Sequence, residues 1–231
     1  MEINTIYRNT LWLCRDFFTD EEADFSITST QEDIDSDRSV LRHENNDVLF
    51  QDGIVEYNVI LRKISEELLD YNTLLIHGAA VAVDKEVYLF TAPSGTGKTT
   101  HVLKWLENCQ NAFVVNGDKP FVVMDKKEEF PVVCGSPWAG KEKMYANVML
   151  PLKAIIIMER NEYNYIKQVS FVEAFPDLFR QVYRPQNSLK MKKTLDLLQQ
   201  LKSKVSLWRF SFNNYKDDCF SVVYDAMHRI T

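Results

Sequence analysis

The ten residues from Thr91 to Thr100 read T-A-P-S-G-T-G-K-T-T, and no other stretch restricts the fold of this chain as strongly. Ahead of them, Glu86-Val-Tyr-Leu-Phe90 has the β-branched and aromatic character of a buried strand, and behind them Val102, Leu103 and Leu106 recur at helical spacing. Strand, glycine-bearing turn and helix form the context in which a G-K-T string becomes a phosphate site. Gly95 and Gly97 permit dihedrals that a Cβ forbids, so successive backbone N–H groups can converge on one anion. The helix then begins at the anion, with its free N–H groups and positive dipole end facing it. This spacing predicts a nucleotide-phosphate site built from Ser94, Gly95, Thr96, Gly97, Lys98, Thr99 and Thr100, with Lys98 on the β- and γ-phosphates and the Thr99 hydroxyl on Mg²⁺. One position departs from the usual G-x-x-x-x-G-K-[ST] pattern: Ala92 stands where glycine is expected, with Pro93 stiffening the turn beside it.

Around this loop the chain reads as an α/β protein. Glu56 to Leu69 places Val59, Ile60, Ile64, Leu68 and Leu69 at helical spacing. Before it, Leu11–Cys14 and Phe25–Thr28 are expected as short strands, and Gln31–Asp37 as a solvated loop or short helix. Leu74–Val83 and Glu86–Phe90, separated by Asp84-Lys85, suggest a hairpin leading into the loop, although Asp-Lys is a weak turn pair. Downstream, Ala112–Val115 is an expected strand ending in Asn116-Gly-Asp118. Phe121–Met124 and Pro131–Cys134 are expected to pair across a charged turn, Asp125–Glu129. Lys153–Met158 and Val205–Phe212 read as strands; Val169–Tyr183, Ser188–Lys202 and Asp217–Ile230 read as helices. Residues 1–72 are expected to form an N-terminal α+β portion packed on a nucleotide-binding domain at 73–231.

Composition narrows the function classes. With a net charge of −6 and no basic block, a nucleic-acid groove is not the chain's main business. Cys14, Cys109, Cys134 and Cys219 are scattered without a C-x-x-C pair and read as reduced thiols. No basic region followed by an apolar core opens the sequence, and Ala154–Met158 is strand-sized, so the expected address is cytoplasmic with no membrane partner.

Three motifs stand in a fixed order: Ile76-His-Gly78, Ala92-Pro-Ser-Gly-Thr-Gly-Lys-Thr-Thr100 and Asn116-Gly-Asp118. Over roughly residues 73 to 160, that order resembles the HPr kinase/phosphorylase family. The family's relatives include the ATP-dependent phosphoenolpyruvate carboxykinases and the kinases of lasso-type precursor peptides. The resemblance implies an HPr-kinase-like P-loop fold with a mixed β-sheet and flanking helices. It also implies an ATP- and Mg²⁺-dependent kinase acting on a hydroxyl, of Ser or Thr in a protein or peptide, and a homo-oligomer, since hexamers are common among relatives. The family's first aspartate, near Mg²⁺ and the accepting hydroxyl, maps onto Asp118, and its histidine onto His77. Where HPr kinases carry an Asp-Asp pair this chain has Asp118-Lys119, and it has no stretch matching the segment needed for phosphorolysis.

Each candidate has a plainer reading beside the functional one. Asp118, at a strand end opposite the phosphate loop, suits a base or Mg²⁺ partner, but N-G-D is also an ordinary turn. His77 fits a phosphate-orienting role or a satisfied core histidine. Lys141, in Gly135-Ser-Pro-Trp-Ala-Gly-Lys141, fits a second cation on the transferring phosphoryl group or a solvated lysine. Trp138 fits adenine stacking or core packing, and Arg184 is a weaker cation candidate. His101 is expected to pack in the first helical turn. A sensor that binds nucleotide without transfer, and a small-molecule kinase, stay open as alternatives.

Overall fold

The computed structural model describes residues 1–44, 51–124, 129–213 and 218–228. The chain divides into two compact units, Met1–Leu68 and Leu69–Thr231.

The first unit contains a short parallel pair, β1 (Glu2–Asn4) and β2 (Ser26–Thr28), with helices α1 (Arg8–Cys14), α2 (Gln31–Glu44) and α3 (Asp52–Leu68). Leu11–Cys14 is therefore helical rather than a strand, and the cause is not local. Glu56 on α3 is completely buried and accepts from the backbone N–H of Ile6 (2.6 Å) and Tyr7 (3.1 Å) and from the hydroxyls of Thr10 (3.0 Å) and Ser29 (2.6 Å). A carboxylate at the start of α1 satisfies donors that a helix leaves open and complements its positive end. The polar Gln31–Asp37 stretch resolves as the first half of α2, with Ile34 buried against Val55 and Val59 of α3.

The second unit is built on a nine-stranded mixed sheet. Its strands are β3 (Thr73–Leu75), β4 (Gly78–Val83), β5 (Glu86–Thr91), β6 (Phe113–Asn116), β7 (Phe121–Val123), β8 (Val132–Cys134), β9 (Met149–Arg160), β10 (Tyr165–Gln168) and β11 (Ser206–Phe212). The order runs β3-β7-β8-β9-β5-β4-β6, with β11 also paired to β9 and β10 to β11. The twelve-residue β9 joins two halves. Its first residues pair antiparallel with β8, and the rest lies parallel between β5 and β11.

Alternation along the central strands fixes two cores. Val87 and Leu89 of β5, Ile155 and Ile157 of β9 and Leu207 of β11 face one side, covered by Ala174 and Leu178 of α5 (Phe171–Gln181) and Leu197, Leu198 and Leu201 of α6 (Ser188–Leu201). Tyr88, Phe90, Ile156 and Phe210 face the other side, against Val102 and Trp105 of α4 (Lys98–Asn108) and Val223 and Met227 of α7 (Cys219–His228). A sheet covered on both faces needs continuous apolar strands, which is how β5 and β9 read.

One further reading needs correction. Leu74–Val83 is not one strand: β3 pairs with β7 and β4 with β5 and β6, and the chain breaks between them at Ile76-His77. Asp84 and Lys85 do make the two-residue hairpin turn, at φ +49° and +69°. Two successive left-handed residues match the twist of a tight hairpin, and the register of β4 on β5 enforces them despite the weak turn pair. The strand β10 and the parallel pair with β1 carried no clear sequence signal. Of the expected turn Asp125–Glu129 only Glu129 falls within the described residues, and positions 217, 229 and 230 of the expected last helix lie outside them.

Candidate active site

The sheet brings the motifs to one edge by strand direction. β5 and β6 both run antiparallel to β4, so both finish at the edge where β4 begins. β9 and β11 run parallel to β5 and finish there as well. The phosphate loop after β5, the Asn116-Gly-Asp118 turn after β6, His77 before β4 and Arg160 at the end of β9 therefore meet. Carboxyl ends of strands at such an edge are where open α/β sheets place ligands.

The result is a cleft of about 490 Å³ lined by His77, Ser94, Gly95, Gly97, Lys98, Thr99, Thr100, Asp118, Lys141 and Arg160, among others. Gly95 and Gly97 adopt φ of +75° and +122°, and α4 starts directly after Gly97. The side chain of Lys98 is nearly buried, and its Nζ donates to the carbonyls of Ala92 (2.8 Å) and Pro93 (3.3 Å). Burial depresses its pKa, opposed by the charge of Asp118 and reinforced by Lys119. Of the seven residues expected to form the phosphate site, Thr96 alone does not line this cleft. Its hydroxyl donates to the Pro93 carbonyl (2.8 Å), and the residue faces a neighbouring cavity instead.

Across the cleft, Asp118 is held from several sides. Its backbone N–H and that of Lys119 donate to Asn116 Oδ1 (2.9 and 2.6 Å), an Asx turn that aims both residues. Asn116 is fully buried, and its Nδ2 donates to the carbonyl and hydroxyl of Ser136, each at 2.9 Å. The Ser136 hydroxyl in turn donates to the Lys119 carbonyl at 2.7 Å. Gly117 faces the Ala139 carbonyl so closely that a Cβ there would sit 2.8 Å from it, and a Cβ on Gly140 would sit 3.1 Å from that of Asp118. The Gly135–Lys141 loop is thus the backing of the Asp118 turn, and its unusual composition follows from that close packing. Trp138 is buried at 4% exposure and does not line the cleft, so it packs in the interior. Lys141 lies exposed on the rim.

His77 Nε2 lies 3.2 Å from Asp118 Oδ1, and its Nδ1 lies 2.8 Å from Gln181 Oε1. Burial alone would raise the Asp118 pKa. The hydrogen bond from His77 and the charges of Lys119, His77 and Lys98 outweigh it, and the carboxyl ionises below its ordinary range. An ionised carboxylate is only an acceptor, so Nε2 of His77 carries the proton between them. Lys119 Nζ is 3.9 Å from Asp118 Oδ2. His77 itself is pinned by its main chain: its N–H donates to the Gln181 carbonyl (2.7 Å), and its carbonyl accepts from the Thr91 hydroxyl (2.8 Å).

Several functional groups were not anticipated from the sequence. Arg160 donates from Nη2 to the Gly95 carbonyl (2.7 Å) and from Nε to the Thr96 carbonyl (3.2 Å), stapling the phosphate loop from β9. A cation just past a strand was its only sequence signal. Gln181 had none, since its partner lies 104 positions away. Arg184 is exposed, stands over the Phe179 ring at 5.8 Å and takes no part in the cleft. His101 packs in the interior as expected: its Nε2 accepts from Trp105 Nε1 (3.1 Å), and burial drives its pKa down to about 3.

The cleft offers two side chains, Thr99 and Asp118, that could hold a divalent cation. Among the described residues no group of three His, Cys, Asp or Glu side chains gathers. The Thr99 hydroxyl and Asp118 carboxylate line one cleft, and one or two protein ligands are what Mg²⁺ takes when phosphates and water fill the remaining positions. No helix among the described residues is long and apolar enough to cross a membrane.

No family model matches the sequence, and no curated protein does. Among solved structures, the Hpr(Ser) kinase/phosphatase from Coxiella burnetii is similar over 67% of this chain and 97% of its own, at 9% identity and a TM-score of 0.40. A likeness of that size carries no argument about fold or reaction.

Proposed function

We propose that this protein is an ATP-dependent kinase of the HPr-kinase-like kind, moving the γ-phosphate to a hydroxyl, of Ser or Thr in a protein or peptide. The observation that carries this reading is the pairing of an ionised, histidine-held carboxylate with a phosphate loop in one cleft. The loop supplies Lys98 and backbone N–H groups from Ser94 to Thr99 for the phosphates, and Asp118 stands where an acceptor oxygen would approach. In the transfer, the acceptor oxygen bonds to the γ-phosphorus as the bond to the β,γ-bridging oxygen breaks and ADP leaves. The hydroxyl proton passes to Asp118, most accessibly to Oδ2, because Oδ1 is engaged by His77. A carboxylate held below its ordinary pKa is a weak base, which fits a loose transition state that depends on positioning more than on base strength. Mg²⁺, held by Thr99 and Asp118, would neutralise charge on the phosphates when bound; Lys141 and Arg160 add positive charge at the rim and the loop.

The test is Asp118→Asn, assayed for ATP affinity by calorimetry and for transfer from γ-labelled ATP into a cell lysate. ATP binding is retained and transfer falls by roughly 10²–10⁴. Full transfer would remove Asp118 from the reaction, while label released only as free phosphate by the wild-type protein would favour a hydrolase or nucleotide sensor. The lysine that replaces a second acidic residue, Lys119, is the observation that keeps the sensor reading in play.

A further inference from the structure

A second cavity of about 340 Å³ adjoins the phosphate cleft, lined by Thr91, Pro93, Thr96, Arg160, Arg180 and Arg209 together with Glu159, Asp177 and Gln181. It opens over the carboxyl ends of the three parallel strands β5, β9 and β11. Two residues tie it to the chemistry. Arg160 lines both cavities and holds the phosphate loop between them. Gln181 lines the second cavity and contacts the His77 ring, which holds Asp118. A molecule seated here would lie beside the loop on the side of Pro93, outside the phosphate cradle, with the Gln181–His77 contact between it and Asp118.

The charge balance of the cavity indicates what it takes. Arg209 is spent, because Nη1 meets Glu159 at 3.1 Å and Nη2 meets Asp177 at 2.7 Å, so both carboxylates of the cavity already answer one guanidinium. Arg160 uses two of its five donors on backbone carbonyls and has no carboxylate partner among the described residues. Arg180 is 68% exposed and, among the described residues, pairs with Asp177 at 3.3 Å on its own helix. Three guanidinium groups thus face two carboxylates, and the surplus donors belong to Arg160 and Arg180. Planar forks with spare parallel N–H groups recognise carboxylates and similar anions.

We infer that this cavity seats a carboxylate of the acceptor, close in the molecule to the hydroxyl that reaches Asp118 in the first cleft and is phosphorylated there. The inference rests on the kinase reading above and adds the substrate class to it. The carboxylate can come from an acidic residue flanking a serine or threonine in a peptide, or from a free hydroxy acid. Arg180 at the rim selects for the anion, and Arg160 sits between anion and phosphate loop.

The experiment uses the full chain and a fluorescein-labelled peptide with one serine flanked by aspartates, beside its lysine-flanked and alanine-flanked counterparts. Binding is read by anisotropy at low salt, with glycerate as a competing hydroxy acid. The aspartate peptide should bind at least fivefold more tightly than the lysine peptide. Arg180→Glu should erase or reverse that order, and Arg180→Lys should keep it. Stronger competition by glycerate than by unlabelled aspartate peptide assigns the site to a free hydroxy acid; the converse assigns it to a peptide. Equal binding of all three peptides with no displacement by glycerate overturns the inference, as does an aspartate preference unchanged in Arg180→Glu. The two readings fail separately. Transfer into lysate without any acidic preference sinks the acceptor assignment alone, whereas charge-selective binding with no transfer to any acceptor sinks the kinase reading and leaves an anion site.

Discussion

Gly117→Ala tests whether the Gly135–Lys141 loop positions Asp118. A Cβ at residue 117 would lie 2.8 Å from the Ala139 carbonyl oxygen and 3.4 Å from that of Met144. Ordinary contact starts near 3.4 Å, so one of the two backbones must give by about 0.6 Å. Neither side moves freely, because the Gly117 N–H donates to the Met144 carbonyl at 2.9 Å and Asn116 is tied to Ser136. Forcing an extra carbon into such a contact costs about 1–3 kcal/mol, and for a chain of this size each kcal/mol lowers the melting temperature by roughly 2–4 °C. Since a misplacement of about 1 Å at a reacting group costs on the order of 10²-fold, the smaller shift at Asp118 should slow transfer roughly tenfold. Melting by calorimetry, ATP affinity and transfer would be measured on one preparation, with ATP affinity near that of the wild type because the loop at 91–100 is untouched. A melting temperature and a transfer rate both unchanged would refute the claim that this loop sets the position of Asp118.

Lys98→Met should lower ATP affinity by roughly 10–100-fold, the worth of charge-assisted bonds to phosphate, while the ligand-free protein melts no lower than the wild type. The ammonium is nearly buried with only carbonyl partners, and replacing a buried charge by an apolar chain of similar volume is often neutral or stabilising; a large fall in melting temperature would contradict this. Asp118 also makes stability depend on acid. Its folded pKa lies below the ordinary value of about 3.9, so its contribution is fully present above that pH and is lost as pH falls through the folded value. The melting-temperature gap between wild type and Asp118→Asn should therefore narrow below about pH 4, and a gap that is constant from pH 7 to pH 3 would speak against the His77 bond. In the N-terminal unit, Glu56→Gln turns an amide NH₂ toward the backbone N–H of Ile6 or of Tyr7 and leaves it without an acceptor, costing about 1–3 kcal/mol; equilibrium denaturation with no loss would refute the α1 anchoring.

The turn at 91–100 was legible in the sequence because its geometry is local: two glycines in left-handed conformations and a helix start within ten residues suffice to build it. The sequence also determined the hairpin before the loop, the central strands and the helices of the second unit, whose apolar periods are unambiguous. What surrounds the loop is set by contacts between segments far apart in the chain. Leu11–Cys14 has strand-like residues yet is helical, at the end of a helix whose first turn is anchored by Glu56, 46 positions from Thr10. The apolar run Leu74–Val83 hides a break at His77, since the two halves find different partner strands and nothing in their composition marks the change. Arg160 reaches the loop because β9 lies beside β5, and Gln181 reaches His77 because α5 ends where β4 begins. Strand order follows from the burial of both sheet faces at once, a condition on the whole chain that no window of residues expresses.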